Sequence, residues 1–215
     1  MILYHGSENV ISNPECPKGN PHNDYGLAFY TTPSYHLAAE WAVDRKLNGY
    51  VNQYGLEMDK VKVLDLTSEK YDILHWIAIL LKNRVFDTSS EIMKHGKEYL
   101  EQHYSVPYPD YDVICGWRAD DSYFSFARAF LNNSLSVERL SEAIRFGNLG
   151  IQYALMSETA FANLKYMESH LVQSAIYYPL KTGRDEAART DYMRLQKADN
   201  TLNETYLIDL IRKGS

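Results

Sequence analysis

No regular alternation of strand and helix runs through this chain, and that irregularity most restricts its fold. Residues 2–6 read as a short apolar strand, 11–24 as a loop dense in Pro, Gly and Asn, and 26–31 as a second strand. Thr32 followed by Pro33 predicts a helix start with Thr32 as N-cap, and Leu37, Ala38, Trp41 and Ala42 lay one apolar stripe on that helix. Residues 61–66 alternate as a half-buried strand does, a segment from about 68 to 84 reads as a well-buried helix, and 90–103 as a polar one. The two helices suggest a helical insertion over about 68–108. Strands at 111–115 and 149–156 follow, with helices through Phe130, from Ser136 and over 157–164, a strand from Lys165, and a charged tail over 184–215 that reads as helical. Short mixed strands among unevenly placed helices argue for an α+β fold rather than a repeating βαβ array.

A chain of 215 residues suffices for one domain with a sizeable core, or one domain carrying an insertion. Its net charge of -6 argues against general affinity for a phosphate backbone, while leaving room for a local nucleotide cleft. Two cysteines, Cys16 and Cys115, form no CxxC pair and no Cys/His cluster at metal spacing, so no metal is expected. With no disulfide framework and no signal peptide the chain reads as cytoplasmic. Its longest apolar run, 77–81 extended by Trp76, is too short to cross a bilayer, so no membrane is expected as a partner.

Two stretches carry candidate chemistry. His5-Gly6-Ser7 ends the first strand: Gly6 admits close approach of a ligand to the backbone and His5 can donate to a ribose hydroxyl, although a strand-end His-Gly-Ser is by itself a turn. Tyr30-Thr31 ends the second strand, where Tyr30 is either an aromatic platform or an ordinary core tyrosine; Trp41 is either the other side of a stacking sandwich or the anchor of its helix. Asp120 and Asp121 follow a strand and a loop, where they either cap the next helix or serve as an auxiliary acid, base or acceptor site.

The segment Ile151-Gln152-Tyr153-Ala154-Leu155 through Asn163-Leu164-Lys165-Tyr166 resembles the end of a poly(ADP-ribose) polymerase catalytic domain, with Gln152 where that family has Glu. Taken with His5-Gly6 and Tyr30 in the same order, the set resembles the His-Tyr-Glu branch of the ADP-ribosyltransferase superfamily, in a His-Tyr-Gln variant. Within it, the chain is similar to a bacterial family, the domain of unknown function 3990, also through Trp76, Asn83-Arg84, the Ala119-Asp120-Asp121 element and Arg184 to Arg189.

The resemblance implies an ADP-ribosyltransferase-like fold, in which two small mixed or antiparallel sheets form a cleft for NAD. It also implies catalytic roles for His5, Tyr30 and Gln152 and an NAD site of His5, Gly6, Ser7, Tyr30, Thr31, Trp41 and Gln152. His5 would hold a ribose hydroxyl, the Gly6 backbone would pair with the carboxamide, Tyr30 and Trp41 would stack on nicotinamide, and Gln152 would bond the 2′-hydroxyl. Ala38 stands where the polymerases place a Ser, so that contact is missing. Gln152 carries no charge, which favours transfer of a single ADP-ribose over polymer synthesis. The expected activity is mono-ADP-ribosyl transfer from NAD to a macromolecular acceptor; the alternatives are a catalytically silent NAD or ADP-ribose binding module and a partner-binding protein. Similarity to toxins of bacterial toxin–antitoxin pairs adds a small antitoxin protein to the expected partners.

Overall fold

The computed structural model describes residues 1–16, 20–86, 90–119, 121–146, 150–198 and 203–214. Strands β1 (Ile2–Ser7), β3 (Gly49–Leu56) and β7 (Leu164–Val172) form an antiparallel sheet in the order β1-β3-β7. Strands β2 (Phe29–Thr31), β4 (Val63–Asp65), β5 (Val113–Trp117) and β6 (Ile151–Leu155) form a second sheet in the order β2-β6-β5-β4, with β4 and β5 parallel. The sheets meet where Tyr4 and Thr32 exchange backbone hydrogen bonds of 2.8 and 2.9 Å.

Eight α-helices lie among the described residues: α1 (Tyr35–Ala42), α2 (Ile73–Asn83), α3 (Glu91–His103), α4 (Asp121–Leu131), α5 (Val137–Ala143), α6 (Glu158–Ala162), α7 (Ser174–Lys197) and α8 (Leu207–Lys213). None of them is long and apolar enough to cross a membrane. The architecture is mixed α+β with two small sheets.

Side-chain alternation along the strands sorts the core into layers. Ala38, Ala39 and Ala42 of α1 pack on Val51 and Val172 of the first sheet. Leu3 and Leu56, on the other face of that sheet, meet Val113 and Leu155 of the second. One residue along each of those strands, Ile114 and Ala154 face the opposite way, into a large cluster with α2, α4 and α5. Parallel β4 and β5 cannot be joined by a tight turn. Their connection is the α2–α3 segment, and Trp76, Ile77, Leu80 and Leu81 of α2 are among the most buried side chains of the chain.

Several boundaries differ from the sequence expectations. Ser34, not Thr32, caps α1, accepting from the Leu37 amide at 3.3 Å. Thr32 is held in the bridge to Tyr4, and its hydroxyl donates to the Ile151 carbonyl at 3.1 Å, which keeps it in extended backbone. The second strand is confined to Phe29–Thr31, because Gly26 takes a positive φ of 79° and turns the chain before it. The tail helix begins at Ser174 rather than near 184. Strand β3, the middle of the first sheet, has no counterpart in the sequence reading. It carries a fully buried Asn52, whose side chain donates to the His5 carbonyl and Ser7 Oγ and accepts from the Ile11 amide and Ser169 Oγ.

Candidate functional site

Tyr30 of β2, Trp41 of α1 and Gln152 of β6 line one cavity of about 620 Å³. That size is within the range of small-molecule and cofactor sites. The pairing of Tyr30 with Ala154 places the end of β2 beside β6, and α1 follows β2 directly, so three residues far apart in sequence converge.

His5 and Gly6 of β1 are not among the residues that line this cavity; the His5 ring packs on Phe29, with ring centroids 4.4 Å apart. The backbone of Tyr4 is spent on Thr32, away from β3. In an antiparallel ladder, alternate residues turn their N–H and C=O groups the same way, so Gly6 points its pair toward the β2 side as well. No backbone bond joins Gly6 to Tyr30 among the described residues, because the two strands part beyond the Tyr4–Thr32 bridge. Gly6 owes its identity to packing rather than to ligand approach: a Cβ there would stand 1.9 Å from the Ala38 carbonyl oxygen of α1.

His5 Nδ1 sits 2.7 Å from the Tyr30 carbonyl, so Nδ1 carries the hydrogen. Burial lowers the imidazole pKa, with the bond to Tyr30 acting in the opposite and lesser sense. A neutral ring of this tautomer presents Nε2 as an acceptor, so His5 is set to receive a hydroxyl proton rather than to donate one.

The Tyr30 hydroxyl donates to the Gly26 carbonyl at 2.7 Å and accepts from the Tyr25 amide at 3.1 Å. The Tyr25 ring lies nearly parallel to it, with centroids 6.5 Å apart. Burial raises the pKa of the Tyr30 phenol, which stays protonated. The Arg118 guanidinium sits over the Trp41 ring at 4.6 Å, so an incoming ring must take the other face of the indole or displace that cation.

Ser7 and Thr31 are directed elsewhere. Ser7 Oγ donates to the Asn9 carbonyl at 2.6 Å, and the fully buried Thr31 donates to the Tyr153 carbonyl at 3.0 Å, on the face of β2 opposite Tyr30. Asp120 lies outside the described residues, and Asp121 is the first residue of α4.

The residue that sequence reasoning missed is Asp24. It is buried in the loop before β2, lines the cavity, and receives hydrogen bonds on both oxygens. Arg84, just past α2, donates to Oδ1 at 2.9 and 2.7 Å; the Ala119 amide and Gln152 Nε2 donate to Oδ2 at 2.8 and 2.9 Å. Gln152 Nε2 also reaches the Trp117 carbonyl at 3.2 Å. A polar side chain in a loop dense in Pro, Gly and Asn carries no sequence signal of burial, and its ion-pair partner is 60 residues away.

The opposite wall belongs to α7, through Tyr178, Lys181, Thr182, Arg184, Asp185 and Arg189. Arg184 donates to both oxygens of the buried Glu40 of α1, at 3.0 and 2.8 Å, and Lys181 Nζ donates to the Val43 carbonyl at 3.2 Å. The cavity therefore combines an aromatic floor, an oriented amide and a cation-bearing wall. That set suits a ligand with a flat ring and hydroxyls, while three of the cations already face carboxylates of the same cavity, Arg84 on Asp24, Arg184 on Glu40 and Arg189 on Asp185.

Fold and site define a mixed α+β protein with two small sheets joined at Tyr4 and Thr32, and a cavity lined by β2, β6, α1, α7 and the segments between them. Residues 1–166 match the family described as "Protein of unknown function (DUF3990)", and the chain belongs to it. The α7 wall lies beyond the matched residues. No curated protein and no solved structure matches the chain.

Proposed function

We propose that this chain is a mono-ADP-ribosyltransferase of ADP-ribosyltransferase-like fold that uses NAD to modify a macromolecular acceptor. The observation that carries the reading is the convergence of Tyr30, Trp41 and Gln152 on one cavity. In this reading the nicotinamide ring lies on Tyr30 and its carboxamide pairs with the Gly6 N–H and C=O. His5 Nε2 accepts from one ribose hydroxyl, and Gln152 Oε1 accepts from another. Lys181 of the α7 wall, held by a carbonyl rather than a carboxylate, faces the pyrophosphate.

The bond from the ribose anomeric carbon to the nicotinamide nitrogen breaks, and its electron pair leaves with the ring, which becomes neutral. The sugar gains positive charge in the transition state, as in glycoside hydrolysis, and the acceptor forms the new bond to the anomeric carbon as its proton passes to solvent water. Positioning supplies the protein's main contribution, because the leaving group is already cationic in NAD. A second reading, an NAD or ADP-ribose binding module without turnover, is favoured by one observation: residue 152 is an amide with no charge of its own.

The test is incubation of the protein with adenylate-labelled NAD and cell extract, with nicotinamide release and Tm followed beside His5→Ala and Tyr30→Ala variants. Transfer of label by the wild type and its loss in both variants is expected. Absence of both label and free nicotinamide sinks the transferase reading, and a Tm indifferent to NAD sinks the binding reading too.

A further inference from the structure

We propose that Asp24 and Gln152 form one unit, in which the carboxylate beside residue 152 stands off β6. Asp24 is a positioning residue that turns the Gln152 carbonyl into the cavity as acceptor for a ligand hydroxyl, and it makes Gln, not Glu, the side chain that fits at 152. The identity of the ligand as NAD rests on the reading above; the placement of charge does not.

The geometry fixes the amide. Gln152 is 3% exposed, and the two hydrogens of its Nε2 meet two acceptors, Asp24 Oδ2 at 2.9 Å and the Trp117 carbonyl at 3.2 Å. The flipped amide would set its oxygen against a carboxylate and a carbonyl while turning its donors away from both. Its Oε1 has no protein partner among the described residues, and the side chain borders the cavity. Asp24 is itself immobile, because Arg84, Ala119 and Gln152 occupy both of its oxygens and it is 4% exposed. Donors to the Trp117 carbonyl also come from Tyr25 Oη at 2.7 Å and Trp76 Nε1 at 3.1 Å, so that oxygen is held as firmly.

A Glu at 152 would face the same carboxylate and the same carbonyl with a full negative charge and no hydrogen to offer. Like charges at hydrogen-bond distance in a buried site are strongly unfavourable. The Gln is therefore matched to Asp24, and its lack of charge does not mark a decayed site.

A charge-swap cycle tests this, with wild type, Asp24→Asn, Gln152→Glu and the double variant compared by Tm, by NAD-induced Tm shift and by nicotinamide release. Gln152→Glu should melt on the order of 10 °C lower and lose the NAD response. Asp24→Asn should lower Tm and weaken both the NAD-induced shift and nicotinamide release. The double variant, with an amide at 24 donating to a carboxylate at 152, should regain part of the lost Tm and a measurable nicotinamide release; recovery is incomplete because the same amide nitrogen then meets the Ala119 N–H.

A Gln152→Glu variant equal to wild type overturns the proposal, as does a double variant no better than the two single effects combined. Recovery of Tm without recovery of nicotinamide release, in a wild type that does turn over, reduces the pair to a structural contact and overturns the positioning role. A wild type silent toward NAD in every readout removes the transferase reading instead, and the Tm cycle then decides alone whether Asp24 dictates Gln at 152.

Discussion

The imidazole of His5 and the backbone of Tyr30, 25 residues apart, are joined by a 2.7 Å hydrogen bond that ties the edge of one sheet to the edge of the other. Burial holds the ring neutral in the fold, its pKa below the 6.5 of a free imidazole. Below that pH the unfolded chain takes up a proton that the folded chain refuses, so this contribution is complete above 6.5 and is lost as pH falls toward the lowered value. Melting curves over a pH series should show Tm declining on acidification below 6.5, with a shallower decline in His5→Gln. Equal slopes in the two proteins would show that another group is responsible.

Gly6 and Gly55 sit on neighbouring strands yet should respond oppositely to alanine. A Cβ on Gly6 meets the Ala38 oxygen at 1.9 Å and the Ala42 nitrogen at 2.7 Å, both helix backbone, which cannot yield without moving α1. Gly6→Ala should cost about 3 kcal/mol, read as a Tm lower by roughly 10 °C. At Gly55 the nearest atom is the flexible Met167 sulfur at 3.8 Å, and Gly55→Ala should stay within about 0.5 kcal/mol of wild type. Denaturant unfolding of the pair checks both values.

What the sequence disclosed and what it hid follow from where each signal resides. The buried helix α2 was legible because its apolar residues leave little polar face, and β1, β6 and α6 because an apolar alternation or a Ser cap marks them. Strand β3 was hidden by a buried Asn52 and by Gly49 and Gly55, which break the alternation; Asn52 anchors the loop at Ile11, and Gly49 packs against the Ala42 backbone. Tyr30, Trp41 and Gln152, singled out through a resemblance, line one cavity, whereas His5, Gly6, Ser7 and Thr31 are not among its lining residues. Asp24 and the α7 wall were missed because both depend on long-range pairing, Asp24 with Arg84 and Glu40 with Arg184, which no local pattern reveals.

The Glu40–Arg184 pair should show an asymmetry of cost. Glu40 has a side chain 4% exposed, whereas Arg184 is 25% exposed and can swing into solvent once released. Arg184→Ala strands a buried carboxylate and should cost about 3 kcal/mol; Glu40→Ala should cost nearer 1 kcal/mol, because the remaining cation rehydrates. Limited proteolysis should find α7 cut sooner in both variants, since this pair ties it to α1. Equal Tm losses would contradict the asymmetry.

The hydroxyl and the ring of Tyr30 have separate surroundings: the hydroxyl is bonded within the preceding turn and the ring lines the cavity. Its Oη joins Gly26 and Tyr25 of the preceding turn, and Tyr30→Phe leaves a carbonyl and an amide without that partner. The expected cost is about 1–3 kcal/mol, or a Tm lower by several degrees. The ring that lines the cavity is retained, so NAD should still raise the Tm of Tyr30→Phe by an amount close to that in wild type. Tyr30→Ala removes ring and hydroxyl together and should lose both stability and the response to NAD. Thermal unfolding with and without NAD distinguishes these outcomes. A Phe variant as unresponsive as the Ala variant would assign the role to the hydroxyl and its turn, and would count against stacking on Tyr30 as the source of ligand affinity.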